Sequence, residues 1–165
     1  NVFKSMAFWR DIFNESAAEH GDITPRYGYV DAVAMEMVRR PWIYDVLVTE
    51  NMYGDILSDL GAGLIGGLGM APSADIGDEY AVFQPCHGSA PDIAGTGKAN
   101  PGSLILSGVM MLEYMGWNKA AEHVYDAMEH VFSKRRVTSD LHAQMEGATL
   151  LTTSEFADEI IKYMH

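Results

Sequence analysis

Apolar positions near the start of the chain recur at steps of three and four: Phe3, Met6, Ala7, Phe8, Trp9, Ile12 and Phe13. That period predicts a helix over residues 2–20, closed by Gly21-Asp22. Residues 23–30 are rich in β-branched and aromatic side chains and predict an irregular strand, weakened by Pro25 and Gly28. Asp31 then stands in a capping position for a helix over residues 32–39, which Pro41 ends. Residues 44–49 predict a short apolar strand. Residues 54–64 predict a helix with Ile56, Leu57, Leu60 and Leu64 on one well-packed face.

The pattern changes after Gly61. Six glycines and Pro72 between Gly61 and Gly77 predict a crossover between two packing units. A strand follows over residues 81–86, then a long loop over residues 87–102. Residues 103–115 are apolar nearly all round and predict a buried helix. Ala120, Val124, Met128, Val131 and Phe132 give residues 119–132 an amphipathic helical face. Thr152 and Glu155 form a capping-box pattern ahead of a last helix that carries Phe156, Ile160 and Met164. The class these elements predict is α/β.

Composition narrows the functions open to such a fold. With 165 residues, 48% hydrophobic and 21% charged, the chain is ordinary globular material. A net charge of −12 disfavours nucleic acid and anionic membrane surfaces, so neither is expected as a partner. It suits a divalent cation wherever carboxylates gather. Cys86 is the one cysteine, which excludes an intrachain disulfide and points to a reducing, cytoplasmic setting. No apolar run reaches the roughly 18 residues of a membrane span, and no signal peptide opens the sequence.

Three stretches carry candidate chemistry. Asp55 and Asp59 stand four residues apart, hence on one helical face, where like charges ask for compensation by Mg²⁺ or Mn²⁺. Asp31 is a third possible ligand, and a solvated acidic face is the plain alternative. Residues 61–66 match the G-x-G-x-x-G dinucleotide fingerprint. The fingerprint needs a strand before it and a helix after it, whereas here the preceding residues are helical. Close packing of a helix end is therefore expected instead. The third stretch is His87-Gly88-Ser89-Ala90-Pro91-Asp92-Ile93-Ala94-Gly95. Its small residues, histidine and carboxylate are the parts needed to hold an adenosine, with a plain connection as the alternative. A thiolate role for Cys86 beside His87 lacks a third orienting group.

Residues 53–59 (Tyr-Gly-Asp-Ile-Leu-Ser-Asp), with Val48-Thr49-Glu50-Asn51 before them and the His87–Gly95 segment after them, resemble the isocitrate/isopropylmalate dehydrogenase family. The resemblance runs along the whole chain and corresponds to the C-terminal half of the family's longer polypeptide. It implies a two-domain fold that is not Rossmann, with residues 1–65 in a smaller, dimer-forming domain and residues 66–165 in a larger cofactor-bearing one. It implies a homodimer with a shared active site, in which the helices from Asp31 and Gly54 meet their symmetry mates.

The site residues follow from the same resemblance. Asp55 and Asp59 would bind Mg²⁺ or Mn²⁺ from one subunit, and Asp31 from the other, where it also helps to move the substrate hydroxyl proton. His87, Gly88, Ser89, Ala90, Pro91, Asp92 and Ile93, with Asn100, would hold the adenosine of NAD. Asn1 would lie near the nicotinamide of the neighbouring subunit. The implied reaction is oxidative decarboxylation of a 2-hydroxy acid: 3-isopropylmalate first, with isocitrate, tartrate or homoisocitrate behind it. The family's catalytic lysine and tyrosine match no position here, so these 165 residues alone are expected to be inactive. The competing expectation is a non-catalytic helical dimer that binds metal.

Overall fold

A computed structural model describes residues 4–164. The chain divides into two compact units, one ending at Leu57 and the other beginning at Ser58.

The first unit is helical. Helix α1 (Lys4–Ala18) carries an aromatic ladder in which Trp9 stacks on Phe13, with centroids 6.1 Å apart, and Phe13 meets the edge of Tyr27 at 5.8 Å. Helix α2 (Val30–Arg39) follows. The strand expected over residues 23–30 does not form; the segment is irregular up to Tyr29, and Val30 already opens α2. Pro25 removes a ladder donor, and Gly28 lies so close to Val33 that an added Cβ would stand 2.4 Å from Val33 Cγ2. Asp31 is likewise not the cap. Tyr29 occupies that position, its carbonyl accepting from the Val33 N–H at 2.8 Å, and Asp31 sits within the first turn.

Pro41–Ile43 form a 3-10 turn after α2. The strand expected over residues 44–49 is also absent: the segment has no ladder partner among the described residues, and Val46, Leu47 and Val48 are exposed. Tyr44 instead reaches back to donate its hydroxyl to the Glu36 carboxylate, which Arg40 pairs at 2.5 Å. These two partners hold the Glu36 carboxyl below its ordinary pKa, and the same hydrogen bond pushes the Tyr44 phenol up.

Helix α3 spans Asn51–Leu64 and so starts three residues earlier than expected. Glu50 explains the start. Its two carboxylate oxygens accept from the N–H groups of Met52 and Tyr53, each at 2.9 Å. The expected apolar face is present but not packed throughout: Leu57 is buried, whereas Ile56 and Leu64 are exposed.

The second unit is built around two packed helices. A 3-10 turn, Leu68–Met70, leads into the antiparallel hairpin of β1 (Pro72–Ile76) and β2 (Ala81–Pro85), with Pro72 opposite Pro85 and Ile76 opposite Ala81. Strand β1, which was not expected, lies within the glycine-rich stretch. After the loop and a turn at Pro91–Ile93 come α4 (Gly102–Tyr114) and α5 (Asn118–Ser133).

Helix α4 packs on both hairpin strands and on α5. Small residues permit the approach: Ser103 and Ser107 are fully buried, and the Ser103 hydroxyl donates to the Ala71 carbonyl at 2.5 Å. Helix α4 is not buried all round, because Leu104, Met111 and Tyr114 are exposed. Its neighbour α5 buries Ala121, Val124, Ala127, Met128 and Val131, a stripe that runs through Ala121 rather than the expected Ala120.

Two short parallel strands, β3 (Arg136–Val137) and β4 (Thr149–Leu150), flank the one-turn helix α6 (Ser139–His142) and lead to α7 (Thr153–Ile161). The reciprocal capping box at Thr152 and Glu155 forms as expected, and Phe156 and Ile160 enter the core. Met164 lies beyond the helix and is exposed. The α7 carboxylate Glu159, 7% exposed, is paired by Lys162 at 2.8 Å and Arg136 at 3.2 Å.

Two outcomes follow for the complete polypeptide. Thr152→Ala removes one side of the box and should cost about 1 kcal/mol, read from denaturant midpoints. The second concerns pH. Lys162, followed by Arg136, holds the Glu159 carboxyl below its ordinary pKa, and the Thr152 N–H and hydroxyl do the same for Glu155. A lowered folded-state pKa contributes stability that is complete above the unfolded value, about 4.3, and fades as pH falls through the lowered one. The thermal midpoint of Glu159→Gln should therefore lie below wild type by a constant margin above about pH 5 and converge on it in acid. A gap that widens in acid would contradict that sign.

Candidate active-site residues and family relationship

Asp55 and Asp59 stand one turn apart on α3, both exposed. Asn51 donates its side-chain N–H to Asp55 Oδ2 at 3.0 Å, which steadies the first carboxylate. The helix carries no lysine or arginine to offset the pair. Two hard oxygen donors without a basic neighbour on their own helix fit a small divalent cation that keeps other ligands from substrate and water.

Asp31 is exposed in the first turn of α2, where the helix dipole favours a carboxylate, and its Oδ1 accepts from the Ala32 N–H at 2.9 Å. Among the described residues no three His, Cys, Asp or Glu side chains gather as a metal cluster.

The adenosine candidates lie together in the loop between β2 and α4. His87 is half-buried, with Nδ1 2.9 Å from the Gly88 carbonyl. A carbonyl only accepts, so Nδ1 carries the proton and Nε2 is left to meet a ligand. Gly88, Ser89 and Ala90 are exposed; Ala90 adopts a left-handed conformation (φ 43°) that turns the chain into the Pro91–Ile93 turn. The Asp92 carboxylate is exposed and makes no hydrogen bond or ion pair among the described residues. Ile93 beside it is 38% exposed.

Asn100 differs from these. Its carboxamide is engaged on both sides, by the Gly102 N–H and by Asp140. Asp140 had no signal in the sequence, because its link to Asn100 spans forty residues. Asn1 lies outside the described residues. Gly61 and Gly63 fall inside α3, with no strand ahead of them to form a phosphate-binding turn. Cys86 is an exposed free thiol.

The sequence matches the isocitrate/isopropylmalate dehydrogenase family over residues 1–160. The chain belongs to this family. It is 47% identical over 163 residues to a 3-isopropylmalate/3-methylmalate dehydrogenase of Methanocaldococcus jannaschii, covering 98% of this chain and 47% of that protein. It is 51% identical over 158 residues to an isocitrate/homoisocitrate dehydrogenase of Thermus thermophilus, covering 96% of this chain and 46% of that one.

Among solved structures it resembles isocitrate dehydrogenase from Methylococcus capsulatus, with a TM-score of 0.85 and 44% identity, over 96% of this chain and 46% of that one. The fold is thus that of an isocitrate-dehydrogenase-like protein, and the chain spans about half the length of the curated relatives it matches.

Proposed function

We propose that the chain is the C-terminal part of an NAD-dependent, Mg²⁺- or Mn²⁺-dependent dehydrogenase that oxidatively decarboxylates a 2-hydroxy acid. The observation that carries this reading is the Asp55/Asp59 pair on α3, in a chain that matches the dehydrogenase family over residues 1–160. We favour 3-isopropylmalate as substrate, with isocitrate, homoisocitrate or tartrate as alternatives. Relatives named for 3-isopropylmalate/3-methylmalate, for homoisocitrate and for isocitrate/homoisocitrate stand at similar identity, 47%, 44% and 51%, so identity does not choose among them. These 165 residues alone are proposed to be inactive.

In this reading the fold is two-domain and not Rossmann, with residues 1–65 in the smaller domain and 66–165 in the larger. The division of the chain within α3 supports a domain change in this stretch. A homodimer with a shared active site is supported by the first unit's exposed apolar side chains, Phe8, Met35, Val38 and Trp42 among them. Asp31 of one subunit then joins Asp55 and Asp59 of the other. Asn1 is proposed near the neighbouring subunit's nicotinamide.

When bound, the cation supplies Lewis acidity at the substrate's hydroxyl and carboxylate, and the dinucleotide supplies the hydride acceptor. Asp55 and Asp59 would hold the cation, and Asp31 would help to move the hydroxyl proton. His87 presents Nε2, and the small residues at 88–90 let backbone approach the adenosine. Asp92 accepts hydrogen bonds from the ribose hydroxyls.

Asp55→Asn or Asp59→Asn in the complete enzyme should lower kcat/KM on the order of 100-fold at ordinary Mg²⁺ and leave NAD binding nearly intact. Unchanged turnover in both variants at limiting metal would reduce the pair to a surface charge cluster.

Cofactor choice follows from Asp92. A 2′-phosphate carries about two negative charges and is repelled by this carboxylate. No lysine or arginine lies between Ser73 and Gly97 to receive it. Steady-state kinetics with both cofactors should show a preference for NAD, and Asp92→Lys should move the ratio of kcat/KM toward NADP by about tenfold or more. A wild-type preference for NADP would mean that Asp92 faces away from the ribose.

A further inference from the structure

The loop that begins at His87 is tied down unevenly. Its first part makes local contacts: His87 with Gly88, and the Thr96 hydroxyl with the Ile93 carbonyl at 2.7 Å. Its last part is stitched to distant chain. The Thr153 N–H donates to the Gly97 carbonyl at 2.8 Å, the Ser139 hydroxyl to Lys98 at 3.2 Å, and the Thr153 hydroxyl to Ala99 at 2.5 Å.

Asn100 completes the seam. Its Oδ1 accepts from the Gly102 N–H at 2.8 Å, and its Nδ2 donates to Asp140 Oδ2 at 2.9 Å and lies 3.5 Å from Met70 Sδ. The other Asp140 oxygen accepts from the hydroxyl of Thr138, a fully buried residue, at 2.6 Å.

A carboxamide flipped end for end has nearly the same shape but opposite hydrogen bonding. Here Asp140 only accepts and the Gly102 N–H only donates, so a single orientation satisfies both. The surroundings are close enough to hold it there. A Cβ on Gly69 would stand 2.7 Å from Asn100 Cβ and 3.1 Å from Asp140 Oδ2; one on Gly102 would stand 2.9 Å from Asn100 Oδ1. The hydrogen bonds of Asn100 are thus turned into the scaffold.

We propose that Asp140 is a positioning residue for the cofactor. Anchored by Thr138, it orients Asn100, and Asn100 fixes the end of the loop that receives the adenosine. This rests on the cofactor role proposed for residues 87–93.

The test uses the complete enzyme as wild type, Asn100→Asp, Asp140→Asn and the double variant, with KM for NAD and for the hydroxy acid, calorimetric NAD binding and thermal midpoints. Asn100→Asp sets two carboxylates against each other and should raise KM and Kd for NAD about tenfold or more, with KM for the hydroxy acid within about twofold. Asp140→Asn should change either by no more than about threefold, because the new amide can offer its oxygen to Asn100 and its N–H to the Thr138 hydroxyl. The double variant rebuilds the bond with donor and acceptor exchanged, and should return NAD binding to within about threefold of wild type.

A merely structural bond lowers the thermal midpoint of Asn100→Asp while leaving its NAD affinity alone, and that result overturns the proposal. So does a double variant that binds NAD no better than Asn100→Asp. If Asn100→Asp does not fold, Asp140→Ala replaces it, and an unchanged NAD affinity there is equally fatal. A wild type that binds no dinucleotide overturns the cofactor reading and this proposal with it. A wild type that binds, beside variants that bind equally well, overturns the positioning role alone.

Discussion

The seating of α4 is the constraint on which the second unit depends. This helix packs against β1 and β2 and against α5, and it begins where the long loop ends. Close approach to the hairpin requires small side chains, and two of them, Ser103 and Ser107, carry hydroxyls that must be satisfied once buried. Both are: Ser103 donates to Ala71, and Ser107 donates to the Ser103 carbonyl at 2.8 Å. Bulkier apolar residues there would push the helix off the sheet and move the start of α4, with Gly102 and Asn100, away from Gly69 and Met70. The geometry of the loop therefore depends on two buried serines, Ser103 and Ser107.

How much of this could be read from the sequence follows from the range of each interaction. The capping box of α7 needs only Thr152 and Glu155, three residues apart, and its pattern determines its structure. The stripe on α5 is similarly local, since period alone aligns Val124, Met128 and Val131. Strands behave differently, because a ladder is a property of pairs. Residues 44–49 have strand-like composition and no ladder among the described residues, whereas β1, hidden among glycines, pairs with β2 over five residues. Composition cannot distinguish those two cases.

The candidate site divides along the same line. The α3 pair is legible because four residues are one helical turn, and the loop is legible because its motif is contiguous. The role of Asn100 is not, since its orientation depends on Asp140 and on the surface of Gly69, both contributed from elsewhere in the chain. Resemblance assigned Asn100 a place beside the cofactor, and the structure adds that its amide faces the scaffold. These statements are compatible if the residue contributes by where it holds the loop.

The two units also differ in how they are stabilised. The second has a continuous core reaching from Val109 through Val131 and Phe156 to Ile160. Among the described residues of the first, Val33 and Leu57 alone are buried. Two such side chains do not offset the ordering of more than fifty residues, whatever coefficient is chosen for apolar burial. Periodicity marked apolar faces on α1 and α3, but an apolar face states only that something covers it. In the second unit the cover is the chain itself. In the first, the side chains of Trp42, Val46 and Ile56 are exposed, and that uncovered apolar surface supports the proposed dimer. In the proposed reading one helix, α3, would carry both the metal-binding pair, Asp55 and Asp59, and the uncovered Ile56.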